Sequence, residues 1–239
     1  MHFKALIPVY NSELKVKKTI SSVASQNHDD FSCDILDDCS DDGTWSQINH
    51  YIKPFDRFNL YKNEERYWAL RNIVEWCHHL KRTHDEDMVI GILDGDDYLT
   101  DNSAITKIMR CYEREGCDVL WTNYHTPFAP ASGFSKFIPS GVDVYRFPWS
   151  SSHLKTFKLS ALAKINIDNF KDESGDYFKR CYDQALMLPL LHSTQNWYFL
   201  DQRMYYYGVN PETTFNTIEL QAQIEHKIRT RGYLENANV

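Results

Sequence analysis

Along the first half of the chain, short runs of consecutive apolar residues alternate with stretches whose apolar positions recur at helical spacing. Phe3 to Val9 and Phe31 to Leu36 are two such runs, each ending in a polar turn, and they read as strands covered on both faces. Between them Leu14, Val16, Ile20, Val23 and Ala24 follow the i, i+3, i+4 rhythm of a helix over Glu13 to Gln26, with Ser12 placed to cap it. The same reading predicts helices over Thr44 to Ile52, Tyr67 to Leu80 and Ser103 to Glu115, and strands over Phe58 to Tyr61, Met88 to Leu93 and Asp118 to Trp121. Strands and helices in this alternation build an α/β fold, a Rossmann-like, doubly wound, mostly parallel sheet with helices on both faces.

From Thr126 to Ser152 the rhythm breaks at Pro127, Pro130, Gly133, Pro139, Gly141 and Pro148. It returns as helices over Lys158 to Lys164 and Asp176 to Leu191, a strand pair around Trp197 to Tyr207 and a last helix over Thr217 to Arg231. A length of 239 residues suits one domain, 1–239, with the sheet-forming half at 1–122 and a half completing a cleft at 123–239. Apolar and charged fractions of 42% and 25% are ordinary for a globular chain, while an aromatic fraction of 14%, with 15 Tyr, favours stacking surfaces for sugar or base. A net charge of −7 argues against a broad basic face, so nucleic acid is not the default partner. The chain shows neither a signal-peptide pattern nor an apolar run long enough to span a bilayer, and a soluble, cytoplasmic protein is expected. The six Cys form no CxxC pair and read as buried small hydrophobes; Cys77, His78, His79 and His84 match no common zinc spacing.

Candidate chemistry sits where strands end. Asp94-Gly95-Asp96-Asp97 follows the Met88 to Leu93 run, and three carboxylates this close repel one another unless a positive charge lies among them. A divalent cation with oxygen ligands, Mn²⁺ or Mg²⁺, carrying a phosphorylated ligand would satisfy them. The plainer alternative is a solvated acidic turn with Gly95 at positive φ. A second cluster, Asp37-Asp38-Cys39-Ser40-Asp41-Asp42-Gly43-Thr44, ends the second run and opens a helix. Asp38, Ser40, Asp42 and Gly43 have the first spacings of a calcium loop, but the twelfth position is Asn49 and the preceding segment is strand-like. The other reading is a nucleotide pocket, with helix capping by Asp41 or Asp42 compatible with it. In open α/β sheets ligands bind beyond the carboxyl ends of the strands, where both clusters fall.

Taken in order, Ile7-Pro8-Val9-Tyr10-Asn11, the Asp37 to Thr44 cluster, Ala69-Leu70-Arg71-Asn72 and Leu93-Asp94-Gly95-Asp96-Asp97-Tyr98-Leu99 resemble the signature of family-2 glycosyltransferases of the GT-A fold over roughly residues 3–122. The resemblance implies a nucleotide-diphospho-sugar donor, a UDP-sugar by the usual base, a divalent metal, and inversion at the anomeric carbon. It implies that Pro8, Tyr10 and Asn11 line the nucleoside, that Asp38 or Asp37 contacts the base, and that Arg71 approaches base or diphosphate. Asp94, next to Gly95, would meet the ribose and Asp96 the metal, with Asp97 behind them. Tyr182-Asp183-Gln184-Ala185-Leu186 stands where the family opens a late helix with its general base, which makes Asp183 the catalytic candidate, with Asp176 and Glu173 as fallbacks. Tyr182 replaces the usual Glu.

Near the C-terminus, Tyr207-Gly208-Val209-Asn210 lacks the Arg and His that many relatives carry there. His153 is a candidate contact to donor phosphate or acceptor, Lys155 and Lys158 could meet an anionic acceptor, and Trp149, Trp197 and Tyr205 are candidate stacking platforms. Lys155, Lys158, Lys164, Lys171, Lys179 and Arg180 together could form a local basic patch. The acceptor stays open among a glycan, a lipid-linked sugar, a protein and a modified DNA base. Two rival functions are a nucleotidyltransferase and a sugar-nucleotide-binding module without chemistry. Tyr10 to Lys18 contains no Gly, which disfavours the first, since triphosphate cradles are glycine-rich.

Overall fold

The computed structural model describes residues 1–84, 87–127, 135–208 and 217–235. Strands β1 (His2–Val9), β2 (Phe31–Asp37), β3 (Phe58–Lys62) and β4 (Met88–Ile92) form a parallel unit, with α1 (Val16–Ala24), α2 (Thr44–Ile52) and α3 (Trp68–Thr83) as crossovers. The remaining elements are β5 (Tyr98–Leu99), α4 (Ala104–Glu115), β6 (Val119–His125), β7 (Lys155–Lys158), α5 (Leu159–Leu162), a 3-10 turn (Ile167–Phe170), α6 (Tyr182–Thr194), β8 (Trp197–Tyr206) and α7 (Ile218–Arg231). One sheet of eight strands results, in the order β3-β2-β1-β4-β7-β6-β8-β5.

Side chains alternate along β1 as the pleat requires. Phe3, Ala5, Ile7 and Val9 pack under α1, α2 and α4, while Leu6 faces the second core, formed with α3, α5 and α6. On that second face Lys4 and Asp34 are both buried, and the Lys4 ammonium lies 3.1 Å from Asp34 Oδ1. Asn59 Nδ2 and Trp76 Nε1 also donate to Asp34, at 2.9 Å each, so the charge is paired and hydrogen-bonded, the condition for burying it. Trp76 thereby ties α3 to β2.

The expected strand-helix alternation forms as read, with four departures. α1 begins at Val16 because Ser12 to Lys15 make a turn in which the amides of Lys15 and Val16 both donate to Ser12 O at 2.9 Å. The Ser12 hydroxyl donates back to Tyr10 O, so it caps nothing. β7 was not anticipated as a strand, and its last residue, Lys158, falls in the helix expected over Lys158 to Lys164; two of its four residues are lysines, and Lys155 is fully buried within the sheet. It runs antiparallel between β4 and β6. The strand pair around Trp197 to Tyr207 is a single strand, β8, which pairs parallel with β6 and then antiparallel with β5. Its irregular register opposite Thr122 to Tyr124 is a bulge, held where Asn123 Nδ2 donates to Asp201 Oδ1 at 2.8 Å. α6 starts at Tyr182, six residues later than the reading from Asp176, because Asp172 to Asp176 close a tight turn and Cys181 enters the left-handed region at φ 51°.

Candidate functional site

Beyond the carboxyl ends of β1, β2 and β4 opens a cleft of about 410 Å³. One wall carries Pro8, Tyr10, Asp38, Arg66 and Trp68, and the other Asp94, His153, Tyr182, Asp183 and Tyr207, with Lys179 and Arg180 at the rim. Four non-glycine residues around it hold positive φ: Asn11 (45°), Cys39 (63°), Trp68 (64°) and Cys181 (51°). Each such conformation costs on the order of 1–3 kcal/mol and persists where surrounding contacts over-determine it. Here the contacts are visible. Asn11 donates its side-chain amide to Asp41 Oδ1 at 2.7 Å and accepts from Asp41 N at 3.1 Å, which zips the two strand-end loops together.

Asp38 is buried and caps α3 from across the sheet. Its Oδ1 accepts from Tyr67 N at 2.6 Å and Asn63 Nδ2 at 2.9 Å, and its Oδ2 from Trp68 N at 2.8 Å. The backbone amides of Tyr67 and Trp68 lie at the start of the helix and lack intrahelical partners, so a carboxylate is well placed there. Asp37 is fully buried, accepts from Ser40 N at 3.1 Å, and lies 3.7 Å from Lys62 Nζ, behind the cleft wall. Above Asp38 the Arg66 guanidinium is sandwiched between the rings of Tyr10 (3.7 Å) and Trp68 (3.8 Å), and Arg180 approaches the same Trp68 ring at 5.4 Å. A flat slot bounded by aromatic faces and cations suits a base and its phosphates.

Facing it, Asp94 Oδ1 accepts the hydroxyl proton of Tyr182, while Oδ2 lies 3.8 Å from His153 Nδ1 and 4.0 Å from Lys155 Nζ. Asp97 is buried, accepting from Tyr205 OH at 2.5 Å and from Gly208 N at 2.7 Å. Burial raises the pKa of Asp94, with Lys155 working against the shift and Asp96 and Asp183 adding to it; for Asp97 burial and the Asp94 and Asp96 charges push it up further. The same causes, burial first, drive the Tyr182 and Tyr205 hydroxyls well above their ordinary range, so both remain donors. His153 is stacked between Tyr205 (4.8 Å) and Tyr207 (4.7 Å), and its imidazole is held well below its ordinary pKa by burial and by the neighbouring Lys155 ammonium. Asp183, half-buried in the first turn of α6, has its pKa raised by burial against the pull of Lys155.

Of the residues singled out in the sequence, the cleft brings together Pro8, Tyr10, Asp38, Asp94, His153 and Asp183. Asn11, Asp37, Arg71, Gly95 and Asp96 do not line it. Arg71 lies against Tyr67 at 3.6 Å and pairs with Glu75 at 3.0 Å. Asp176 and Glu173 lie off the cleft, in the turn before α6. The anionic-acceptor role read for Lys155 and Lys158 does not fit, since Lys155 is fully buried and Lys158 pairs with Asp118 at 2.8 Å. Trp149 and Trp197 pack against the core, and Tyr205 is fully buried. Asn210 lies outside the described residues. Arg66 was missed, although it sits beyond the end of β3, where the strand-end rule already directed attention.

Gly95 is required by crowding rather than by a left-handed turn. A Cβ there would stand 2.5 Å from Val9 Cγ2 and 3.0 Å from the Val9 backbone, and Gly95 is not among the residues with positive φ. The close approach lets Gly95 N donate to Pro8 O at 3.2 Å and pins the acidic turn to β1. Asp94, Asp97 and His153 each offer one ligand atom within 4.8 Å of the others, and among the described residues they are the one such group. Asp96 stands apart, 37% exposed, with Oδ2 3.0 Å from Lys15 Nζ.

Comparison with known proteins gives three findings. The model of glycosyl transferase family 2 matches residues 5–167. The putative teichuronic acid biosynthesis glycosyltransferase TuaG of Bacillus subtilis (strain 168) is 28% identical over 135 residues, 56% of this chain and 50% of that one, so the chain spans about half the length of this relative. Among solved structures, S. aureus TarS superposes with a TM-score of 0.64 at 20% identity over 93% of this chain and 39% of its own, and its residues 1–349 are also known with UDP and with UDP-GlcNAc. The mannosyltransferase PcManGT from Pyrobaculum calidifontis, in complex with GDP-Man and Mn²⁺, superposes at 0.67 with 12% identity over 96% of this chain and 63% of its own. At these identities the two structures share the fold, which is of the GT-A type.

Proposed function

The chain belongs to glycosyl transferase family 2 and is a glycosyltransferase, and on that premise we propose that it moves a sugar from a nucleotide-diphospho-sugar, a UDP-sugar, to an acceptor hydroxyl with inversion. The observation that carries this reading is the cleft itself, where Asp183 and Asp94 face the slot of Tyr10, Arg66 and Trp68. In this reading the whole chain works as one domain, with residues 1–122 holding the donor and 123–239 the acceptor. Pro8 and Tyr10 lie along the nucleoside, and Asn11, Asp37 and Asp38 act on it through the turn they hold. Asp94 takes the ribose, and Lys179 and Arg180 meet the diphosphate in place of Arg71. The six unpaired thiols suit a reducing compartment such as the cytoplasm. No helix among the described residues is long and apolar enough to cross a membrane.

Asp183 accepts the proton of the acceptor hydroxyl as its oxygen attacks the anomeric carbon. The bond to the diphosphate breaks on the opposite face, and its electron pair leaves with the phosphate. A carboxylate whose pKa burial raises is a stronger proton acceptor, which suits this task. Asp96 fits a metal in the way a hard cation with substrate phosphates requires: one half-exposed carboxylate, tied only by a surface ion pair that is easily exchanged. Mn²⁺ or Mg²⁺ held there with diphosphate oxygens would neutralise the charge on the departing group. His153 lines the cleft wall, and Gly95 holds the acidic turn against β1.

The test is UDP release from a panel of sugar nucleotides with Mn²⁺. Asp183→Asn is expected to lower turnover by on the order of 10²–10⁴-fold, with UDP affinity by calorimetry unchanged. Asp96→Ala should remove the dependence on Mn²⁺. Undiminished turnover in Asp183→Asn rules out its role as base.

A further inference from the structure

The inner group of Asp94, Asp97 and His153 has the spacing of a metal site, yet each member is already engaged. Both Asp97 oxygens accept hydrogen bonds, from Tyr205 OH and Gly208 N. Asp94 Oδ1 accepts from Tyr182. The Lys155 ammonium lies 2.9 Å from His153 Nδ1 and 4.0 Å from Asp94 Oδ2, and sits 4.9 Å over the Tyr182 ring, with no part of the residue exposed. An ammonium has donors only, so His153 Nδ1 accepts, and the ring proton sits on Nε2. Neither nitrogen then presents a free lone pair to a cation. A lysine is almost never fully buried without partners, and the partners here are those a metal would need.

We propose that the Lys155 ammonium is the resident cation of this inner cluster. It excludes a metal ion from Asp94, Asp97 and His153, and it holds Asp94 and His153 in place along the cleft wall. Lys155 does not line the cleft; it is a positioning residue that acts through them. Divalent ions are then confined to the outer seat at Asp96.

The experiment is titration of Mn²⁺ into the ligand-free full chain, followed by electron paramagnetic resonance of the free ion, in an Asp96→Asn background that silences the outer seat. With no nucleotide or sugar present, the result is independent of whether the chain transfers sugar. Adding His153→Gln should leave the weak binding of the background unchanged. Adding Lys155→Met, which keeps the stem and removes the charge, should create a site roughly tenfold tighter, and His153→Gln should abolish that gain. A background protein that loses Mn²⁺ affinity on His153→Gln, or a folded Lys155→Met variant with no gain, overturns the proposal. Should Lys155→Met fail to fold by circular dichroism, the comparison of the background with and without His153→Gln decides alone.

Discussion

At the residue scale, the site depends on contacts that residue type alone does not announce. Arg71 and Arg66 are both arginines near the start of α3, but only Arg66 enters the cleft, because Tyr10 and Trp68 stack on its two faces while Glu75 and Tyr67 hold Arg71 outside. Arg66→Ala is expected to weaken UDP binding by about 1 kcal/mol, roughly fivefold, whereas Arg71→Ala leaves it unchanged in calorimetric titration. Gly95 makes the opposite point, since its identity was readable but its reason was not. Gly95→Ala should destabilise the fold by about 1–3 kcal/mol in denaturant unfolding, through overpacking against Val9, even though an alanine is an ordinary residue for this backbone. An unchanged midpoint would mean that β1 yields. The buried Lys155 was the least legible residue, because a lysine in a polar stretch gives no sign that its neighbours will surround it.

At the scale of elements, amphipathic helices with a strong apolar rhythm were read to within a few residues, since α2 is Thr44–Ile52 as expected and α4 is Ala104–Glu115. Their ends depend on partners distant in sequence. α4 is started by Asp101, whose Oδ1 accepts from Ser103 N at 2.8 Å and whose Oδ2 pairs with Lys107 at 2.6 Å, and by Gln26, whose Oε1 accepts from Ile105 N at 3.1 Å. Burial pushes the Asp101 pKa up, but the bonds from Lys107 and Ser103 outweigh it and hold it at about 2. Its pKa is therefore lower folded than unfolded, so its stabilisation is complete above the ordinary carboxylate value of about 4 and is lost as pH falls toward about 2. Asp101→Asn is expected to cost about 1 kcal/mol at neutral pH, after allowance for screening at this partly exposed pair, and almost nothing below about pH 2. Urea midpoints for the two proteins that stay equally far apart across that range would dissociate the cap from its charge. Strands were harder to read where they are short or polar: β5 has two residues, and β7 carries lysines at both ends.

At the scale of the whole molecule, residues 1–122 displayed a parallel sheet but not its completion. β7, which arrives more than thirty positions after β6 begins, inserts between β4 and β6, and β8 pairs on the far side of β6. The sequence carried no mark of this, because strand order is set by long-range packing that local periodicity does not encode. A fragment of residues 1–125 is therefore expected to lack a stable sheet and to bind no UDP, as read by circular dichroism and calorimetry. A folded, binding fragment would show that the first four strands suffice. The insertion also governs the history of each molecule. On the ribosome β1 to β4 and then β6 emerge first, with the β4 edge open and β6 without either neighbour, and such edges recruit other chains. Folding is therefore committed only when segments distant in sequence return to close the sheet, so loop closure rather than local helix formation should pace it. The antiparallel strand β7 acts as a latch in time as well as in space: the groove cannot be complete before its last-made half has been synthesised.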